Sequence, residues 1–129
     1  MKASSMNLVR HTRRFDEMKG FYEGVLGLKC LHEWDRPGSR GAMFSAGSGV
    51  GNVTIEVLDT GRPGASEAPP ANIGISFEVE NADEWNDRLV AAGANIYRPL
   101  CDTPWGNRQV SVEDPDGLHI GIYHKLEGE

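Results

Sequence analysis

Asp35-Arg36-Pro37-Gly38-Ser39-Arg40 and Asp102-Thr103-Pro104-Trp105-Gly106-Asn107-Arg108 carry Asp, Pro and Arg in the same order, the second with one residue inserted. Asp35 lies eight residues after Gly27, and Asp102 nine after Gly93. Upstream of each glycine the apolar residues fall at helical spacing. Phe15, Met18, Tyr22 and Val25 predict a helix over about 15–26, and Ala82, Trp85, Leu89 and Ala92 a second over about 83–92. Gly27 and Gly93 then supply the left-handed residue that commonly ends a helix. Asn81 and Glu84 stand three apart, as in a capping box. A helix, a closing glycine and an Asp-Pro-Arg turn, met twice in order, make a duplicated unit the better reading than two chance turns.

The remaining segments read as strands: Met6–Thr12, Leu28–Trp34, Ala42–Ser45, Asn52–Leu58, Ile73–Val79, Ala94–Tyr97, Gln109–Glu113 and Leu118–His124. Turn chemistry separates them, including Gly47-Ser-Gly-Val-Gly51 and Asp114-Pro-Asp-Gly117. Arg10 interrupts the apolar pattern of the first strand. The order is therefore β-α-β-β-β twice. A linker over 59–71, rich in Gly, Pro, Ala and Ser, joins module 1 (about 6–58) to module 2 (about 72–124) within one domain spanning 1–129.

A chain of 129 residues is long enough for one domain with a real core. Its net charge of −6 argues against nucleic acid or an anionic membrane as the main partner. No apolar run approaches the length of a membrane helix, and the N-terminus lacks a signal-peptide pattern. Two cysteines, Cys30 and Cys101, are too few for a disulfide framework. The expectation is a cytoplasmic protein with reduced thiols.

Strand alternation separates two faces. Ile73, Ile75, Phe77 and Val79 oppose Asn72, Gly74, Ser76 and Glu78. Val53, Ile55 and Val57 oppose Thr54, Glu56 and Leu58. Ile120 and Ile122 oppose His119, Gly121 and Tyr123. The apolar faces bury against the helices, which places the small and polar residues on the opposite side. If the sheet curves away from the helices, that side encloses a cup suited to a small molecule.

The pattern resembles the vicinal oxygen chelate superfamily of glyoxalases, bleomycin-resistance proteins and extradiol dioxygenases. Phe21-Tyr-Glu-Gly-Val-Leu-Gly-Leu28 is similar to its FYxxxLGL helix end. Ile75–Val79 with Asn81 resembles its fifth strand and second helix start. Thr103–Arg108 and Glu113–Gly117 resemble its PWG…R and DPDG elements. The similarity covers about 6–124. It implies an α+β fold of two tandem βαβββ modules, a curved mixed sheet around a cup, often completed in a homodimer.

Metal-dependent members of that superfamily place one ligand on the first and one on the last strand of each module, mostly His or Gln and then Glu. Those positions fall on Asn7, Gly74, Glu56 and Gly121, so only Glu56 matches. The two glycines supply no donor and Asn is a poor ligand for Zn²⁺ or Fe²⁺. The expectation is a protein with no cofactor that binds a small, aromatic or drug-like molecule through Asn7, His11, Glu56, Ser76, Trp105, His119 and Tyr123. Glu56 has two readings, a catalytic general base in a desolvated cup or a hydrogen-bonding remnant. The alternative is a lyase, isomerase or dioxygenase that uses Glu56 as base or a divalent metal ion displaced onto His11, Glu56 and His119. His32 and His124 read as surface residues and Trp85 as core. Trp105 either stacks on a ligand or plugs its loop against the core. Arg40 and Arg108 either clamp a ligand carboxylate or, as the better reading, bridge to Asp35 and Asp102.

Overall fold

The computed structural model describes residues 1–47, 52–59 and 69–127. The chain divides into two compact units, Met1–Glu67 and Ala68–Glu129. The boundary lies within the expected linker. Residues 60–68 of that linker and 48–51 of the glycine-rich turn lie outside the described residues.

The first unit consists of β1 (Met6–Thr12), α1 (Phe15–Lys19) running into a π-helical stretch (Gly20–Val25), β2 (Lys29–Arg36), β3 (Ser39–Ser45) and β4 (Val53–Asp59). Its sheet has the order β1-β4-β3-β2, with β1 and β4 parallel and the other pairs antiparallel. The second unit repeats this arrangement: β5 (Gly74–Glu78), α2 (Ala82–Ala91), β6 (Asn95–Asp102), β7 (Asn107–Glu113) and β8 (His119–Lys125), ordered β5-β8-β7-β6. The β-α-β-β-β order read twice in the sequence is the order found.

Each unit has its own core on the helix side of its sheet. In the first, Phe15, Met18, Phe21, Tyr22 and Leu26 bury with Ala42, Phe44, Ile55 and Val57. Tyr22 stacks on Phe44 with ring centroids 6.4 Å apart, fixing the helical segment to β3. In the second, Ala82 and Leu89 bury with Val110, Val112, Leu118, Ile120 and Ile122. Arg10, which interrupts the pattern of β1, is half-buried and does not break the strand. Trp85 corrects the core expectation: it is only half-buried, and the Arg88 guanidinium covers its ring at 4.1 Å.

Register makes the two units comparable residue by residue. Asn7 pairs with Thr54 and Val9 with Glu56 in the first; Gly74 pairs with His119 and Ser76 with Gly121 in the second. Asn7 and Gly74 are thus equivalent, as are Glu56 and Gly121. Yet Asn7 stands one residue farther from Gly27 than Gly74 does from Gly93. The π-helical stretch absorbs that residue: Leu26 N–H donates to Phe21 O at 2.9 Å, five residues back, where α2 stays regular. The expected helix over 15–26 is correct in extent, but its second half is π.

The extra residue before Asp102 has a similar cause. β2 has one irregularity of register, between Cys30 and His32, whereas β6 has two, the second between Arg98 and Cys101 around Pro99. Proline has no N–H for the ladder, so it belongs at such a break. Asp35–Arg40 and Asp102–Arg108 are register partners in both units. The first hairpin closes over Pro37-Gly38 and the second over Pro104-Trp105-Gly106, where Thr103 N–H donates to Asn107 O at 2.7 Å. Strands β3, β6 and β7 are longer than expected because their ends lie in these turns.

The shared Asp and Arg residues tie hairpin to helix. Arg40 reaches Asp16 at 2.8 Å, Asp59 at 3.6 Å and Asp35 at 3.9 Å. Arg108 bonds Asp102 at 2.9 Å and Asp83 at 3.0 Å. Hydrogen bonds to Asp102 and Asp83 raise the Arg108 pKa. At Arg40 partial desolvation lowers the pKa, but the three carboxylates together outweigh it and the net shift is upward. Both arginines form salt bridges, Arg40 with Asp35 among its partners and Arg108 with Asp102.

Candidate functional site

Of the residues that the sequence assigns to a cup, Asn7, His11, Glu56, Ser76, His119 and Tyr123 lie on the sheet faces opposite the helices, and Trp105 lies in the turn between β6 and β7. In the first unit the rows across that face are Asn7, Thr54 and Ser45; then Val9, Glu56, Met43 and His32; then His11, Leu58, Gly41 and Trp34. Asn7 Nδ2 donates to Glu56 Oε1 at 2.8 Å, and its Oδ1 accepts from Thr54 Oγ1 at 2.7 Å. The amide is therefore committed at both ends, and one of the two Glu56 oxygens is already occupied. Glu56 is half-buried. His11 lies in the row of Leu58, next along β1 from the row of Glu56, and is exposed. The Trp34 indole rests on Gly41, donates through Nε1 to Ser39 Oγ at 2.9 Å and stacks on His32 at 5.2 Å.

The second unit places Ser76, His119 and Tyr123 on one sheet face. Asn95, Glu113, His119 and Gly74 form one row, and Arg98, Ser111, Gly121 and Ser76 another. Gln109 and Tyr123 lie in the row beyond. Trp105 is 62% exposed at its turn, so it does not plug the loop against a core. The Asp114-Pro-Asp-Gly turn is structural: the buried Asp114 carboxylate accepts from the Asp116 and Leu118 N–H groups, and Gly117 has φ 89°. His124 is also structural. Its Nδ1 accepts the Ala82 N–H at the start of α2, at 2.8 Å.

Gly74 and Gly121, which bear no side chain, do not leave open volume on the sheet face. A Cβ at Gly121 would meet Gln109 Nε2 at 2.8 Å and Ser76 Oγ at 3.3 Å. The Gln109 carboxamide already lies over that glycine and donates to Ser111 Oγ at 3.2 Å. A Cβ at Gly74 would lie 3.2 Å from the His119 carbonyl oxygen, so that glycine permits a close approach of backbone.

The sequence reading missed Thr54, Gln109, Ser111, Tyr97, Glu113 and Asn95. Alternation along Asn107, Gln109, Ser111 and Glu113 carries the signal for three of them. Tyr97 has no such signal, because a bulge sets its direction.

The donor set does not fit a divalent metal. At the four equivalent strand positions stand one carboxylate, one amide engaged at both ends, and two glycines. Among the described residues no three His, Cys, Asp or Glu side chains gather as a metal site.

Comparison with known proteins agrees with this architecture. The profile of the glyoxalase/bleomycin resistance protein/dioxygenase superfamily matches residues 8–122, and the chain belongs to that superfamily. A lactoylglutathione lyase of Neisseria meningitidis is 30% identical over 112 residues, covering 84% of this chain and 81% of that protein. The crystal structure of TioX from Micromonospora sp. ML1 aligns with TM-score 0.71 and 27% identity over 96% of this chain and all of that one. TnmS3, an antibiotic-binding protein from Streptomyces sp. CB03234, aligns with TM-score 0.74 over 97% of this chain and 96% of that one, and at 21% identity it shares the fold. Among the described residues no helix is long and apolar enough to cross a membrane.

Proposed function

We propose that the protein binds a small, planar organic molecule through the polar sheet faces opposite its helices, without a bound metal. One observation carries this reading. Register aligns Asn7 with Gly74 and Glu56 with Gly121, and these four residues cannot assemble a divalent ion site. What remains suits an organic ligand: a few hydrogen-bonding groups (Asn7, His11, Glu56, Ser76, His119 and Tyr123) among apolar neighbours, with Trp105 exposed at a turn. In this reading the two units form one domain, the protein is cytoplasmic, and two chains pair as a homodimer. Light scattering then gives twice the mass of one chain, and a single-chain mass contradicts the pairing.

A second reading, a lyase or isomerase with Glu56 as base, is favoured by the lactoylglutathione lyase relative and by the retained carboxylate. It stands second because Asn7 already donates to that carboxylate.

Tryptophan-fluorescence titration with a panel of planar aromatic antibiotics tests the binding reading. Saturable quenching is expected, weakened about tenfold or more by Asn7→Leu and by Ser76→Leu while both variants stay folded. No saturable binding, or binding unchanged in both variants, contradicts it.

A further inference from the structure

The row Asn95, Glu113, His119 and Gly74 runs straight across all four strands of the second sheet. Asn95 Nδ2 donates to Glu113 Oε2 at 3.3 Å, and His119 Nε2 lies 3.5 Å from Glu113 Oε1. The carboxylate is thus held from one side and turned toward the imidazole on the other. In a neutral imidazole, a carboxylate facing Nε2 favours the proton on that nitrogen and leaves Nδ1 as the acceptor. On the other flank of His119 stands Gly74, with no side chain to cover the ring.

β6 bulges at this point. Ile96 pairs with Val112 and Arg98 with Ser111, so Tyr97 is an extra residue. Bulges redirect side chains, and here the phenol ring lies on His119, with centroids 4.1 Å apart and planes 24° from parallel. Both rings remain open to solvent, Tyr97 at 40% and the His119 side chain at 52%. Stacked and held on one side by a carboxylate, the pair is an ordered aromatic plane with a hydrogen-bond acceptor on its edge.

We propose that Tyr97 and His119 form a subsite for an uncharged planar aromatic group bearing an O–H or N–H donor, with Glu113 as the positioning residue that fixes the imidazole tautomer. This rests on the small-molecule reading above and names the ligand chemistry that the second unit selects. Tyr97 supplies the stacking surface, His119 Nδ1 accepts the donor, and Asn95 steadies Glu113.

β-Naphthol and its methyl ether, which differ in one donor, are the probes. By equilibrium dialysis the protein is expected to bind the naphthol about three- to tenfold more tightly than the ether, the discrimination of one net hydrogen bond. His119→Phe keeps the stack and should abolish the preference. Tyr97→Ala should weaken both probes equally, with a circular dichroism spectrum matching that of the parent as the control for folding. In Glu113→Leu the preference should shrink, and imidazole nitrogen NMR shifts should change from one tautomer to a mixture. No preference in the parent protein, a preference that survives His119→Phe, or failure of both probes to bind overturns the subsite. If the subsite fails while antibiotic quenching remains sensitive to Asn7→Leu, the binding function stands and its ligand lies elsewhere.

Discussion

Adding one methyl group should destabilise the protein at Gly41 and leave it nearly unchanged at Gly121, although both glycines lie buried within strands of a polar-faced sheet. At Gly41 the new Cβ would fall 2.3 Å from Trp34 Cζ2 and 2.8 Å from Cε2. An indole is rigid, so it must lift from the sheet. Lifting breaks its bond to Ser39 and disturbs its stack on His32. The lost hydrogen bond costs about 1 kcal/mol and overpacking adds about 1–3 kcal/mol. Replacing a strand glycine returns about 0.5–1 kcal/mol. The net loss for Gly41→Ala is about 1–3 kcal/mol, which lowers the melting temperature by roughly 4–10 °C for a chain of this size. At Gly121 the obstacle is the free end of Gln109, which can rotate away. The loss of its bond to Ser111, about 1 kcal/mol, nearly cancels the gain from removing glycine. Gly121→Ala should therefore melt within about 2 °C of the parent. Circular dichroism melts of the two variants side by side decide the matter. Equal effects, or a larger loss at Gly121, would refute the account of what covers each glycine.

Two further outcomes follow from the ionisable groups. Arg108→Ala should lower the melting temperature more at low than at high ionic strength, because its bonds to Asp102 and Asp83 are partly exposed and screened by salt; a loss independent of salt would point to packing instead. Burial pushes the Cys30 thiol pKa up, whereas Cys101 is exposed. Iodoacetamide at neutral pH should label Cys101 first and Cys30 only as the pH rises, by peptide mass mapping, and the reverse order would contradict the placement of Cys30.

Much of the fold is legible in the sequence because each unit obeys local rules. β1 begins and ends at Met6 and Thr12 as read, and Gly27 and Gly93 take φ 69° and 70° where the helices close. Asn81 caps α2 through the Asp83 and Glu84 N–H groups. Three features lie beyond such rules. An apolar spacing of three and four does not distinguish an α from a π turn, so the second half of the first helix was invisible. A bulge depends on how two strands meet, so Tyr97 gave no sign that it would cover His119. A glycine in a sequence shows a missing side chain but not the neighbour that fills its place, and Gln109 fills the place at Gly121. The candidate site is legible to the same degree. Asn7 and Glu56 meet as their strand positions suggest, whereas the partners that orient His119 come from β6 and β7.

The central claim is that these sheet faces serve an organic ligand with no resident metal, and elemental analysis after dialysis against Zn²⁺, Ni²⁺, Mn²⁺ and Fe²⁺ tests it most directly. The account predicts far less than one metal ion per chain, unchanged by Glu56→Ala. A value near one per chain that disappears in Glu56→Ala would contradict it.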